Sequence, residues 1–308
     1  MPRYNLKYIC DIGKRKEQQD DFGFNCYGNP YALEREGFLS VLCDGMGGLV
    51  GGAEASRLAV NKFITSFSMQ CATFTGKEDD EAFMPLLLNS LAEANSAVQQ
   101  LGARLGHESD CGTTLIAVLL RGETFYYVSV GDSHIYLCRD GKLQQVNQDH
   151  IYANQLQRLV EQGRISQTEA DLDPMREALT SFIGIEELKE VSCGVVKDFI
   201  KPKDDILLCS DGFYKFLGEE KLLALHEANR LDWTTKMLEA VFELAHPQQD
   251  NCTAIAIFAE EGEFEVVANT TEKTIAPKGL DTKGKDTEQD SLPKNKNKIP
   301  FFGRRKRK

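Results

Sequence analysis

The chain has 308 residues, 42% hydrophobic and 27% charged, which excludes a fibrous or wholly disordered protein and fits an ordinary globular one. No apolar run approaches the ~20 residues of a membrane-spanning helix. The opening Met1-Pro2-Arg3-Tyr4-Asn5-Leu6-Lys7 also lacks the apolar core of a signal peptide, so a cytoplasmic location is expected. The net charge of −11 is uneven: residues 269–308 carry twelve Lys/Arg against five Asp/Glu, a net of +7, and the remainder, with 24 against 42, stands at −18. A body this acidic argues against nucleic acid as a partner.

In chain order, Leu6 to Asp11 reads as a first strand before a turn at Gly13. Phe38 to Asp44 is a buried-strand run that ends on Asp44-Gly45-Met46-Gly47-Gly48. Helical spacing follows twice. Ala53 to Phe67 carries Ala55, Leu58, Ala59, Phe63 and Ile64, and Ala82 to Leu105 carries Leu87, Leu91, Ala94 and Val98 on one stripe. The period then shortens. Gly112 to Leu120 reads as a strand, Arg121-Gly122-Glu123 as a tight turn, and Thr124 to Val130 as the hairpin partner. Ile135 to Cys138 is the next strand, closed at Asp140-Gly141. Residues 151–200 read as mostly helical and polar, and the last strands lie near 205 and 254 with a helix over Trp233 to Leu244 between them. Strands in hairpin runs with helices before and between them predict an α+β fold with mostly antiparallel sheets.

Three acidic signatures stand at the ends of apolar runs: Asp44-Gly45, Ser210-Asp211-Gly212 and Asp250-Asn251-Cys252-Thr253. A carboxylate at the mouth of a buried strand is held rigidly yet faces solvent. Three of them converging would offer the all-oxygen ligand set that hard divalent cations prefer, which points to metal-assisted hydrolysis. The nine cysteines include no C-x-x-C pair, and Cys43, Cys209 and Cys252 lie in or beside strands, so core packing is their expected role.

Taken together the motifs resemble the metal-dependent protein phosphatases, the protein phosphatase 2C family, in its bacterial type. Gly13-Lys14-Arg15-Lys16-Glu17-Gln18-Gln19-Asp20 resembles the family's opening G-x-R-x-x-N-E/Q-D, and Asp44-Gly45-Met46-Gly47-Gly48 its D-G-x-G-G. Gly112-Thr113-Thr114, Val130-Gly131-Asp132-Ser133, Ala178-Leu179-Thr180 with Gly184, Ser210-Asp211-Gly212 and Asp250-Asn251 follow in family order. The resemblance implies a four-layer αββα sandwich, two mostly antiparallel sheets packed face to face and flanked by helices, over residues 1–263, with a flap within 151–203. Residues 264–308 would be a disordered polar linker with a basic tail.

It also implies two Mn²⁺ or Mg²⁺ ions. Asp44 would bridge them, with Asp211 and Asp250 as the other catalytic ligands of the first ion. The Gly45 carbonyl and Asp20 would serve the second ion, and Asp132 with Asp211 a third, weaker site. Arg15 would grip the phosphate, as its planar donors suit. The reaction implied is hydrolysis of phosphoserine or phosphothreonine in proteins by a hydroxide bridging the metals, with no covalent intermediate and with a Ser/Thr kinase as the opposing partner. Gln18 stands where Asn is usual, and Met46 where animal-type members carry a His that acts as general acid. The alternatives are a weak or inactive binding module on the same fold and a small-molecule phosphoesterase; retention of Asp44, Asp211 and Asp250 argues against the inactive reading.

Blander readings cover other residues. Asp-Gly pairs are common turns when alone, the Gly45–Gly52 cluster fails the dinucleotide register, and Asp21-Phe22-Gly23 lacks the rest of a kinase. Thr113 and Thr114 read as strand packing and Asp149-His150 as a structural turn. His134 reads as a surface or hairpin residue, and His107, His226 and His246 as ordinary ones. A monomer is expected. The terminal Phe301-Phe302 and basic cluster read first as a solvated tail, and second as a weak contact for an anionic membrane surface.

Overall fold

The computed structural model describes residues 2–26, 29–46, 51–107, 111–196, 200–262 and 265–268. The elements are β1 (Pro2–Asp11), β2 (Asp20–Phe24), α1 (Pro30–Glu36), β3 (Phe38–Asp44), α2 (Gly52–Gln70) and α3 (Phe83–Leu105). Then come β4 (Leu115–Arg121), β5 (Thr124–Val130), β6 (His134–Arg139), β7 (Lys142–Gln145), α4 (Tyr152–Glu161), α5 (Gln167–Leu172) and β8 (Ser192–Val196). The chain closes through β9 (Asp205–Cys209), α6 (Asp211–Ala228), α7 (Trp233–Glu243), β10 (Cys252–Glu261) and β11 (Val266–Ala268).

Two sheets form, one in the order β11-β1-β10-β9-β6-β7 and the other β2-β3-β4-β5-β8. Among the named strands every pairing is antiparallel except that of β1 with β11. Alternation along each strand sets the layers. On β3, Leu39, Val41 and Cys43 pack with Ala55, Ala59, Phe63 and Phe67 of α2 and Leu87, Leu91 and Val98 of α3. The opposite face, with Phe38 and Leu42, meets Leu6, Ile135, Ile206, Leu208, Ile255 and Ile257 of the other sheet. The outer face of that second sheet, with Leu207, Cys209, Ala254 and Ala256, is covered by Phe213 and Leu222 of α6 and Trp233, Met237 and Val241 of α7. The result is the four-layer αββα sandwich, and strands buried on both faces explain why their sequences read as unbroken apolar runs.

Local signals place several ends. α3 stops at Gly106, whose φ of 71° is left-handed. The Asp140-Gly141 turn between β6 and β7 has φ of 51° and 69°, the backbone a two-residue hairpin loop requires.

Several expectations need correction. β4 begins at Leu115, because Gly112–Thr114 leave the ladder and Thr113 bridges instead to Gly45 and Ile183. Among the described residues the 151–200 stretch holds two short helices and then β8, an edge strand whose half-exposed pattern gives little hydrophobic signal. β2, β7, α1 and α6 are additions to the sequence reading. α6 buries only Gly212, Phe213 and Leu222 and breaks helical geometry at Gly218, which obscures its period. β11 adds to the sheet edge three residues beyond the boundary at 263, too short a strand to register as a pattern. The rest of the polar linker and the basic tail, 269–308, lie outside the described residues.

Where α6 meets β10 the backbones nearly touch: a Cβ on Gly212 would stand 1.9 Å from the Asn251 carbonyl oxygen. Gly212→Ala is therefore expected to cost about 1–3 kcal/mol of stability by overpacking, read as a lower urea midpoint with unchanged m-value.

Candidate active site

Antiparallel register carries five carboxylates to one end of the sandwich. Asp20 at the start of β2 pairs directly with Asp44 at the end of β3. Asp132 lies in the turn after β5, whose last residue Val130 pairs with Leu115 at the start of β4. Asp211 follows β9 and Asp250 precedes β10, and these two strands pair at the same end through Cys209 and Ala254. A cavity of about 290 Å³ opens there, lined by Arg15, Asp44, Gly45, Met46, Thr114, Asp132, Leu179, Asp211 and Asp250. A larger groove of about 520 Å³ lies between the edge strands β7 and β8, but its one carboxylate, Asp140, has no acidic partner in the lining. The acidic cluster therefore lies in the smaller cavity.

Each side chain is set by a specific backbone contact. The Asp44 amide donates to Thr114 Oγ1 at 3.0 Å, and its carbonyl accepts from Thr113 Oγ1 at 2.8 Å and from the Thr114 amide at 2.8 Å. Thr114 Oγ1 is in turn 2.8 Å from Ser133 Oγ. The two threonines thus clamp the end of β3 rather than merely packing, a correction to the sequence reading. Gly184, at φ 109°, lets residues 182–185 close on Cys111, where a Cβ would stand 2.4 Å from the Cys111 carbonyl. That closure lies beside the Thr113–Ile183 bridge.

The loop that carries Arg15 is laced to the start of β10. Asn251 Nδ2 donates to the Ile12 and Glu17 carbonyls, and Asn251 Oδ1 accepts from the Gln19 amide at 2.9 Å. Arg15 Nη2 then reaches Asp250 Oδ2 at 2.5 Å. Across the cavity, Lys215 Nζ donates to Asp211 Oδ2 at 2.7 Å and to Asp132 Oδ2 at 3.1 Å, and Tyr214 Oη donates to the same Asp132 oxygen at 3.3 Å. Sequence reasoning missed Lys215 and Tyr214. Their signal was available, since positions 214 and 215 follow Asp211 by one helical turn once α6 is recognised.

His134 is buried, not a surface residue. Its ring stacks on Tyr214 with centroids 3.6 Å apart, and its two nitrogens meet Tyr136 Oη and Asp149. His150 takes the structural role expected of it, because its Nδ1 accepts from the Gly131 amide at 3.1 Å, and burial lowers its pKa. The thiols of Cys43, Cys209 and Cys252 are buried and their pKa values are raised by that burial, which fits core packing. Gly47 and Gly48 of the second motif lie outside the described residues.

The donor set suits a hard divalent cation. Asp20 Oδ2 accepts from Ser210 Oγ at 2.9 Å, while its Oδ1 is buried with no protein partner, a state that ordinarily demands one. Asp44 has its pKa raised well above the carboxylate range, first by burial and then by Asp20, Asp211, Asp132 and Asp250. Asp20 is raised mainly by burial. Such a cluster calls for positive charge. Among the described residues no three His, Cys, Asp or Glu groups stand positioned to hold a metal ion; Asp250 and Asp211 instead turn to Arg15 and Lys215.

A family model described as protein phosphatase 2C matches residues 13–259. The serine/threonine protein phosphatase PstP of Mycobacterium tuberculosis is 31% identical over 210 residues, covering 67% of this chain and 37% of that protein. The serine/threonine phosphatase Stp of Listeria monocytogenes is 28% identical over 192 residues, covering 62% of this chain and 73% of the relative. The chain thus spans well under half the length of the mycobacterial relative. Among solved structures, PstP of Mycobacterium tuberculosis superposes with a TM-score of 0.65 at 25% identity, over 85% of this chain and all of that one. The PstP catalytic domain in complex with two manganese ions superposes at 0.61 with 26% identity, with the same coverage.

The raised carboxylates give a test in the metal-free protein. A carboxyl whose folded pKa lies above its ordinary 3.8 contributes stability that is full below 3.8 and lost as pH rises through the folded value. With chelator present, Tm is expected to fall as pH rises from the ordinary carboxylate range through the Asp20 value of about 7. The fall should be shallower in Asp44→Asn and should vanish with saturating Mn²⁺, all read by thermal denaturation.

Proposed function

Because this chain belongs to the protein phosphatase 2C family, we propose that it is a divalent-metal-dependent hydrolase of phosphoserine and phosphothreonine in proteins. The observation that carries the reading is the convergence of Asp20, Asp44, Asp132, Asp211 and Asp250 at one sheet end with a guanidinium at the rim. In this reading Asp44, Asp211 and Asp250, with Asp20 and the Gly45 carbonyl, would hold two Mn²⁺ or Mg²⁺ ions, Asp44 being the ligand they would share. When bound, such cations would supply positive charge for the phosphoryl oxygens and a water of lowered pKa available near neutral pH.

The protein's own residues do the rest. Arg15 exchanges one partner for another, since the guanidinium held by Asp250 is free to turn its planar donors to an incoming phosphate. Thr113 and Thr114 fix the Asp44 backbone so that its carboxylate does not follow the substrate. Among the described residues lining the cavity there is no Ser, Cys or His, and the one hydroxyl, that of Thr114, is engaged by Asp44 and Ser133. That favours direct attack by water over transfer to a hydroxyl, thiol or imidazole. Met46, which lines the cavity, has no proton to give, so in this reading the leaving group takes its proton from water. Leu179 enters the cavity wall from the stretch expected to hold the flap, and we assign substrate selection to that flap. A kinase that phosphorylates the same serines and threonines is the matching partner.

The test is hydrolysis of an aryl phosphate and a phosphothreonine peptide with and without Mn²⁺. Turnover should require the metal and favour the peptide over sugar phosphates; equal rates on sugar phosphates would establish the small-molecule alternative. Asp44→Asn and Asp211→Asn should each lower kcat on the order of 10²–10³-fold, the scale of losing one preorganised electrostatic group. Arg15→Ala should mainly raise KM, by about 10-fold or more, as expected for one charge-assisted hydrogen bond.

A further inference from the structure

Lys215 stands where two carboxylates from different parts of the fold face one another. Asp132 comes from the turn between β5 and β6, and Asp211 opens α6. One ammonium spans them, 2.7 Å from Asp211 Oδ2 and 3.1 Å from Asp132 Oδ2. Its seat is built rather than incidental. Asp211, Tyr214 and Lys215 occupy positions i, i+3 and i+4 of α6 and so share one helix face. Tyr214 donates to the same Asp132 oxygen, and its ring is stacked on buried His134, which Asp149 and Tyr136 hold in turn. Asp132 itself is 8% exposed, so the bridge lies at the edge of the protein interior where a pair of unscreened carboxylates would repel strongly.

We propose that Lys215 is a built-in cation for the Asp132–Asp211 pair, a tethered substitute for an exchangeable third metal ion, so that this chain takes up two divalent ions and not three. The proposal rests on the metal reading given above and adds a residue that sets how many ions the site takes. The physical case is one of competition. The ammonium brings three donors and a full positive charge without recruitment from solution, so its effective concentration at the two carboxylates is far above that of a free ion. A divalent ion entering there would have to expel the lysine and lose part of its water shell.

The experiment counts Mn²⁺ bound per full-length chain, by calorimetric titration and by elemental analysis after desalting, for the wild type, Lys215→Ala, Lys215→Arg and Lys215→Ala/Asp132→Asn. The expected result is two ions in the wild type and in Lys215→Arg, a third, weaker one in Lys215→Ala, and two again in the double variant. Circular dichroism confirms that each variant is folded before it is counted, and Lys215→Arg keeps the test decisive if the alanine variant is not. Arginine there should still hold the count at two, and a third ion in it would overturn the assignment. Three ions in the wild type, or two in both the wild type and Lys215→Ala, would likewise overturn it. No Mn²⁺ bound to the wild type would instead overturn the metal reading itself, an outcome separate from the others.

Discussion

Everything at this end of the molecule depends on the repulsion among its carboxylates. Asp44 ends a strand buried on both faces, and its pKa is raised first by burial and then by Asp20, Asp211, Asp132 and Asp250. A fold does not gather unscreened negative charge in a partly buried cavity without a source of positive charge. Two side-chain cations supply part of it, Arg15 on Asp250 and Lys215 on Asp211 and Asp132. Neither reaches Asp20, whose inner oxygen is buried without a protein partner. The site thus combines two tethered cations at its rim with an unneutralised acidic centre, which suits a ligand that is itself strongly positive.

The sandwich is what makes that arrangement affordable. The apolar layer between the sheets and the two layers beneath the helices fix the strand ends, so the carboxylates cannot relax apart by moving the backbone. Around them, neutral groups from distant segments lock the geometry. Thr113 and Thr114 hold the backbone of Asp44, Ser210 holds Asp20, and Asn251 ties the Arg15 loop to β10. These partners are mostly hydroxyls and amides, which orient a charged group without adding charge of their own.

The helical periodicity of α2 and α3, the β4–β5 hairpin and the Asp140-Gly141 turn were legible because each signal is local. β8, β7 and α6 were not. β8 and β7 are edge strands with one face in solvent, and α6 carries a non-helical glycine and buries few residues. At the site, the acidic residues stood out because Asp at the end of an apolar run is unusual, while Lys215 and Tyr214 looked like ordinary helix-surface residues. His134 misled for a related reason: its burial follows from stacking on Tyr214, eighty positions later in the chain.

The sequence by itself determined which residues could do the chemistry. Asp44, Asp211 and Asp250 at the ends of apolar runs point to an oxygen-rich site, and the resemblance of the motifs in family order adds Arg15 as its phosphate-binding cation; neither statement needs coordinates. Only the tertiary structure decided which charges neutralise which. That Arg15 faces Asp250, and that Lys215 spans Asp132 and Asp211, depends on strand register and helix face summed over segments up to 235 residues apart. Coulomb energy varies with distance in space, and distance in space between such segments is not written in any local pattern.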